Sequence, residues 1–558
     1  MKLRKSAKFI LAVCVSVVTA AHAAVIEKPA VMKEAMVTAT ISDLHGFING
    51  VGSVAVQVDP TMSGAAIKTG LGSMVGDLGL NGFESGKGLA VVMLDPENFF
   101  AVAEISADKQ EFYTLAAEGM DLAAKYQGGL LVVCMDPLQL DRFVGMAPAV
   151  QQQLLSKRSP SLKVSCSPAA LTTQFGDLID MGMEELFSGV KSELDGTEAA
   201  SVVKILEAEL RVLLSVVKQC NAYELELTPV DGSVRIDETC VAVAGSRLEK
   251  LLKAPKINKP NSQIHAGLLG GGAIAFDGLM SNPDAFTTFI NDEAMALSKE
   301  MKINESDLSK WLNAVNKWKG LYGGSFTGTM SFGGDSFIDL REVVEIKDAD
   351  KTMALLSSMK RDMMAPILDL YEELGVPMTM DFKENARTYK GTKIHQIIID
   401  FSDLPEEAQM ALEMMKLTDL TVEYAVVDNK MVSTLGGSMD QLIDRITSKN
   451  IASQPLLARS VFPADAVLYA DIDVPAYFEG LFSLIPDDAD MEEMLPILQN
   501  LRGADPITMA AYVENGAAMG SVNIPKSLIA KIVMTIQEAQ RAAEAEFEAM
   551  MMEMEMDF

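Results

Sequence analysis

The sequence predicts an α+β fold: antiparallel sheets covered by helices, assembled from internally repeated units. Three observations predict it. A short phrase recurs, in which an apolar strand-like run ends in Asp or Asn, Pro usually follows, and an amphipathic stretch begins. A second phrase alternates with it, two period-two runs around a tight turn followed by a helix. About half of the 558 residues (49%) are apolar, enough to bury more than one sizeable core.

The first phrase reads Gly88–Leu94 before Asp95-Pro96 and Gly129–Met135 before Asp136-Pro137. Looser copies run from Gly272–Phe276 to Asn282-Pro283 and from Ala466–Asp473 to Pro475. The apolar runs suit buried strands. The Asp or Asn accepts from an early helical N–H, and Pro fits the first helical position, where its missing N–H costs nothing. The Asp95 copy also suits a hairpin, because Phe99–Ile105 can form a strand.

The second phrase begins at Ala222–Leu227, turns at Asp231-Gly232, returns through Ser233–Ala244 and enters a helix at Arg247–Leu252. It recurs at Gly324–Met330, Gly333-Gly334-Asp335, Phe337–Leu340 and Lys351–Leu356. Another copy is Thr508–Val513, Glu514-Asn515-Gly516, Ala518–Val522 and a helix from Pro525. Leu420–Gly437 reads as a hairpin turning at Asp428-Asn429. Val202, Leu206, Leu210, Leu213 and Val217 fall on one face of a long helix. Because the units recur in both halves, the chain reads as a duplication. The polar, Pro-bearing stretch Ala254–Ser262 is the expected boundary. The expected organisation is residues 1–23 as a signal peptide, 24–257 and 258–538 as two α+β domains, and 539–558 as an acidic, Met-rich tail.

The signal peptide is read from Lys2, Arg4, Lys5 and Lys8, the apolar run Phe9–Val18, and Ala21-His22-Ala23 as an A-x-A cleavage site. Cleavage near Ala23 makes the protein periplasmic or fully secreted. No later stretch has the length and apolarity of a membrane span. Removing four basic residues and no acidic ones takes the net charge from −30 to −34. Such a chain repels phosphates at long range, so nucleic acid is not an expected partner.

Four cysteines follow the signal: Cys134, Cys166, Cys220 and Cys240. An oxidising compartment permits two disulfides, and the shorter loops favour Cys134–Cys166 and Cys220–Cys240. Buried thiols are the alternative. No C-x-x-C pair is present.

The alternation of the two phrases, with the Gly-rich segment Gly70–Gly79, resembles large exported bacterial proteins of unknown function. The resemblance is one of pattern, covers most of the mature chain and carries over no catalytic residue.

Catalytic motifs are scarce. His45, His265 and His395 are far apart, and His395 reads as a structural strand residue in Lys393–Ile399. Ser357–Lys360 matches S-x-x-K, but Lys68-Thr69-Gly70 precedes it where a penicillin-binding enzyme has K-T-G last. Asp471 and Asp473 lie two apart without a calcium loop around them, and Asp473 reads as a helix cap. The Met-rich end has thioether density that suits Cu(I), adaptable packing or partner docking. No catalytic residue, cofactor or metal ligand is assigned. Trp311, Trp318, Tyr322, Met550 and Met554 are the candidate contact surface. The expectation is an exported, non-enzymatic binding or scaffolding protein of the cell envelope, its partner an unknown protein or an apolar ligand. The alternatives are a periplasmic carrier of an apolar ligand, or a hydrolase whose site is not visible as a motif.

Overall fold

The computed structural model describes residues 35–83, 86–156, 158–194, 210–256, 269, 272–301, 305–333, 338–359, 365, 379–400, 419–448, 455–483, 498–535, 537–538 and 541. The expected signal, the 257–262 part of the boundary, His265 and the tail with Met550 and Met554 lie outside the described residues.

The first half begins with β1 (Val37–Ile41), the helical hairpin α1 (Leu44–Val58) and α2 (Gly64–Val75), then β2 (Leu89–Met93) and β3 (Phe99–Glu104). After these come α3 (Gln110–Glu118), β4 (Ala123–Gln127), β5 (Leu130–Cys134), α4 (Leu140–Ser156), β6 (Leu162–Cys166) and α5 (Pro168–Leu194). The half ends with β7 (Cys220–Val230), β8 (Ser233–Ala242) and α6 (Arg247–Leu252).

The second half runs β9 (Ile274–Leu279), α7 (Pro283–Met301), α8 (Glu305–Asn316), β10 (Tyr322–Phe332), β11 (Ile338–Ile346) and α9 (Ala349–Met359). Next are β12 (Thr379–Tyr389), β13 (Thr392–Asp400), β14 (Asp419–Val427), β15 (Lys430–Leu435) and α10 (Met439–Thr447). It closes with α11 (Ala458–Val461), β16 (Leu468–Ile472), α12 (Val474–Phe482), β17 (Ile507–Glu514) and β18 (Ala517–Ile524).

Among the described residues the fold is α+β, with 18 strands in one sheet. The sequence implies several sheets; the structure joins them into a single antiparallel ladder. In the first half the spatial order is β4-β5-β3-β2-β1-β6-β7-β8. In the second half it is β12-β13-β14-β15-β11-β10-β9-β16-β17-β18. Setting aside the β12–β13 hairpin, the two orders match strand for strand. The halves meet edge to edge through β8 and β18, with Val234 opposite Ile524. At the other end of that seam the Ala242 N–H donates to Gly516 O at 3.4 Å. Between them the Ser521 hydroxyl donates to Asp237 Oδ1 at 2.5 Å, and Arg235 holds the same carboxylate.

Helices cover both faces. In α4, Phe143, Ala147, Val150 and Leu154 recur at helical spacing and pack on Ala90, Val92, Phe100, Val102 and Val132. Leu44 and Ile48 of α1 and Tyr113 of α3 pack on the opposite face against Leu131. In the second half, Met439, Leu442 and Ile443 of α10 cover Val343, Ile394, Ala425 and Val432. Across the sheet, Leu356 of α9 and Trp318 cover Phe382 and Ile397.

The acid-and-Pro junctions start helices as the sequence implies at three of four places. The Asp473 carboxylate accepts from Ala476 N–H at 3.0 Å at the start of α12, and Asn282 does the same for Ala285 N–H at α7. Asp136 caps a short 3₁₀ turn ahead of α4. Asp95 instead folds a hairpin: its carboxylate accepts from the N–H groups of Glu97 and Asn98, and β3 follows.

Candidate functional site

In an antiparallel ladder, residues directly opposite one another share a face. Glu342 of β11 lies opposite Ser433 of β15, Ser433 opposite Tyr424 of β14, and Tyr424 opposite His395 of β13. Four polar side chains thus form one row across four adjacent strands. The next row on the same face is Leu340, Leu435, Val422, Ile397 and Phe382. On the other side stand Val344, Met431 and Val426. The polar row therefore crosses an apolar surface, which Trp318, Met353 and Leu356 cover.

The strands holding the same places in the first half are β3, β5 and β4. There Ala101 lies opposite Val133 and Val133 opposite Ala124. Counting from the two-residue turns at Gly128-Gly129 and Asp428-Asn429, Val133 stands where Ser433 does and Ala124 where Tyr424 does. An apolar row satisfies the fold there. The polar row is an addition, and His395 sits on the hairpin that has no counterpart in the first half.

Burial sets the electrostatics. It pushes the Glu342 carboxyl above the ordinary carboxylate range, although the Ser433 hydroxyl donates to Glu342 Oε2 at 3.3 Å and pulls the other way. Burial, with the Glu342 and Tyr322 groups nearby, pushes the Tyr424 hydroxyl up to about 12. Tyr322 is raised for the same reasons, burial first and Glu342 second. His395 is fully buried (0% exposed), and burial lowers its imidazole below 6.5. Its ring stacks on Phe382 at 5.9 Å, the Asn385 N–H donates to Nδ1 at 3.5 Å, and Nε2 has no hydrogen-bond partner among the described residues.

On the reverse face the Arg387 guanidinium is bidentate on Glu423 and also reaches Asp440 of α10. Burial opposes the Glu423 charge, but Arg387 outweighs it and holds the carboxyl below its usual range. Tyr389 and Lys390 grip Asp444 in the same way. The hairpin that carries His395 is thus clamped to α10.

Strands are spaced about 4.8 Å apart, so Ser433 and His395, with Tyr424 between them, are about 10 Å apart. That exceeds the reach of a Ser–His proton transfer. What the row adds to the cluster is hydrogen-bonding groups set among apolar and aromatic side chains.

Trp318 is only 7% exposed and stacks on Tyr322 with centroids 5.9 Å apart. The pair is a wall of this apolar cluster rather than an outer contact surface, because both rings pack over the sheet. Trp311 lies on α8, and nothing is described of its side chain. Cys220 and Cys240 form a disulfide, with Cα atoms 6.0 Å apart on neighbouring strands. The expected Cys134–Cys166 bond is absent. Strands β3, β2 and β1 separate β5 from β6, which puts the two thiols about 19 Å apart. Cys134 packs in the core against Phe100 and Phe143.

Glu342, Ser433 and Tyr424 were not among the sequence candidates. A signal existed: each is a polar residue flanked two positions away by apolar ones, as in Leu340-x-Glu342-x-Val344 and Val422-x-Tyr424-x-Val426. No family model, no curated protein and no solved structure matches this chain, so the functional reading rests on the chemistry of its own residues.

Proposed function

We propose that this is an exported binding protein of the cell envelope that holds an apolar ligand on the Trp318–Tyr322–Tyr424 surface of its second half. One observation carries the reading: the polar row Glu342–Ser433–Tyr424–His395 crosses an apolar face where the equivalent strands of the first half carry Ala101, Val133 and Ala124. Buried polar groups weaken a core unless something pairs with them, and a bound molecule supplies that pairing. Export is supported by the signal-like first residues and by the Cys220–Cys240 disulfide, a bond that persists in oxidising compartments.

The test is native mass spectrometry of protein purified from the cell envelope in mild detergent, followed by displacement of the fluorescent apolar probe N-phenyl-1-naphthylamine. A co-purified small mass, and probe binding weakened in Tyr424→Ala, are expected. A bare chain that also leaves the probe unbound would overturn the reading.

We further propose that the two halves descend from one duplicated unit, with domains at residues 24–257 and 258–538. The matching strand orders and the edge-to-edge β8–β18 seam support this, since joining equivalent edges is how a two-fold dimer of the ancestral unit would pair.

A further inference from the structure

Building on the binding reading, we infer that the ligand presents a carbonyl oxygen, and that His395 Nε2–H is the group that donates to it. The tautomer follows from the hydrogen bonds. The Asn385 N–H donates to Nδ1, so Nδ1 is the unprotonated nitrogen and Nε2 carries the proton of the neutral ring. That N–H is buried without an acceptor among the described residues. Its neighbour in the row, Tyr424, is a donor as well: its hydroxyl keeps its proton through the neutral range. Further along the row, the Ser433 hydroxyl already donates to Glu342.

Two neighbouring donors, His395 and Tyr424, call for an acceptor from the ligand. A carboxylate or phosphate would bring a charge, and among the described residues no Arg or Lys is buried to meet it. Glu384 and Lys393 flank His395 in charge, but both are exposed. An uncharged acceptor on an apolar body fits: the carbonyl of a ketone, quinone or ester. Asn385 helps set this up. It has φ of +51° at the irregularity between Lys383 and Arg387, and so turns its N–H toward the ring.

The experiment is isothermal titration calorimetry on the full mature chain with matched probes. Menadione is compared with 2-methylnaphthalene, which has the same ring system without carbonyls, and methyl decanoate with decane. Whichever carbonyl probe is preferred tells a quinone-like source from an ester. Wild type is expected to bind one carbonyl probe about tenfold tighter than its hydrocarbon. His395→Leu should abolish that preference, bringing the carbonyl probe down to the affinity of its hydrocarbon in the same variant. His395→Gln, whose amide N–H can stand near Nε2, should restore most of it. Equal binding of carbonyl and hydrocarbon probes by wild type, or equal losses for both in His395→Leu, would overturn the carbonyl inference and leave the binding reading standing. Failure of every probe to bind wild type would overturn both. Should His395→Leu not fold, the wild-type preference and the His395→Gln variant still decide.

Discussion

At the residue scale, His395 links the proposed site to stability. Its folded-state pKa lies below the ordinary 6.5 because burial disfavours the imidazolium. In the unfolded chain the ring takes up a proton near 6.5, so below that pH the unfolded state binds more protons. Stability conferred by the neutral ring is therefore complete above 6.5 and drains away as pH falls toward the folded value. Urea denaturation from pH 7.5 to 5.0 should show this loss in the wild type, and a flatter profile in His395→Leu. Because Leu also removes an unpartnered buried donor, the variant should be no less stable than wild type at pH 7.5. A steep acid slope that survives the substitution would assign the effect to other groups. Arg387 makes the opposite case. Arg387→Met leaves the largely buried Glu423 without its guanidinium and should cost about 2 kcal/mol, less than a fully buried pair because the Arg side chain is one-third exposed. The same denaturation experiment measures it. The individual polar residues of the row were visible in the sequence as interruptions of an apolar register. Their convergence was not, since they come from four strands spread between residues 342 and 433, with the order in the sheet differing from the order in the chain.

At the element scale, local rules account for most starts and turns. Asp473→Ala removes the side-chain acceptor for the Ala476 N–H and should cost about 1 kcal/mol, read from the unfolding midpoint. The hairpin turns at Asp231-Gly232 and Asn515-Gly516 have positive φ at both central residues, as their sequences imply. Lys390-Gly391 has the same geometry, and its Lys disguised the β12–β13 turn. The disulfide ties β7 to β8 across a separation of 20 residues. Cys220→Ser with Cys240→Ser should therefore lower stability by roughly 3 kcal/mol, and peptide mapping without reductant should recover the linked Cys220 and Cys240 peptides from wild type. Finding Cys134 joined to Cys166 in that map would contradict the strand order, which keeps them four strand spacings apart. Loop length alone favoured both pairings. Only the sheet order separates the pair that meets from the pair that does not.

At the scale of the whole molecule, the ladder makes the two halves one structure. The β8–β18 seam is held by main-chain pairing and by the Ser521–Asp237–Arg235 contacts, and Ser521 is fully buried there. A protease site inserted between residues 255 and 260, once cut, should leave two fragments that still elute together in size-exclusion chromatography. Ser521→Pro removes a strand N–H and introduces a ring at the seam, and should let the cut fragments separate. Fragments that part without the Pro would show that the seam does not hold the halves.

The sequence by itself determined many of the elements and their starts: apolar runs, caps, Pro at helix starts and glycine turns act over a few residues, and neighbouring residues are all they require. It also determined the acidic charge that disfavours polyanions. The tertiary structure decided which strands are neighbours, and with that which cysteines meet, whether Trp318 faces solvent or core, and which polar residues share a row. Strand neighbours are chosen by packing between segments distant in the chain, and no local pattern encodes that choice.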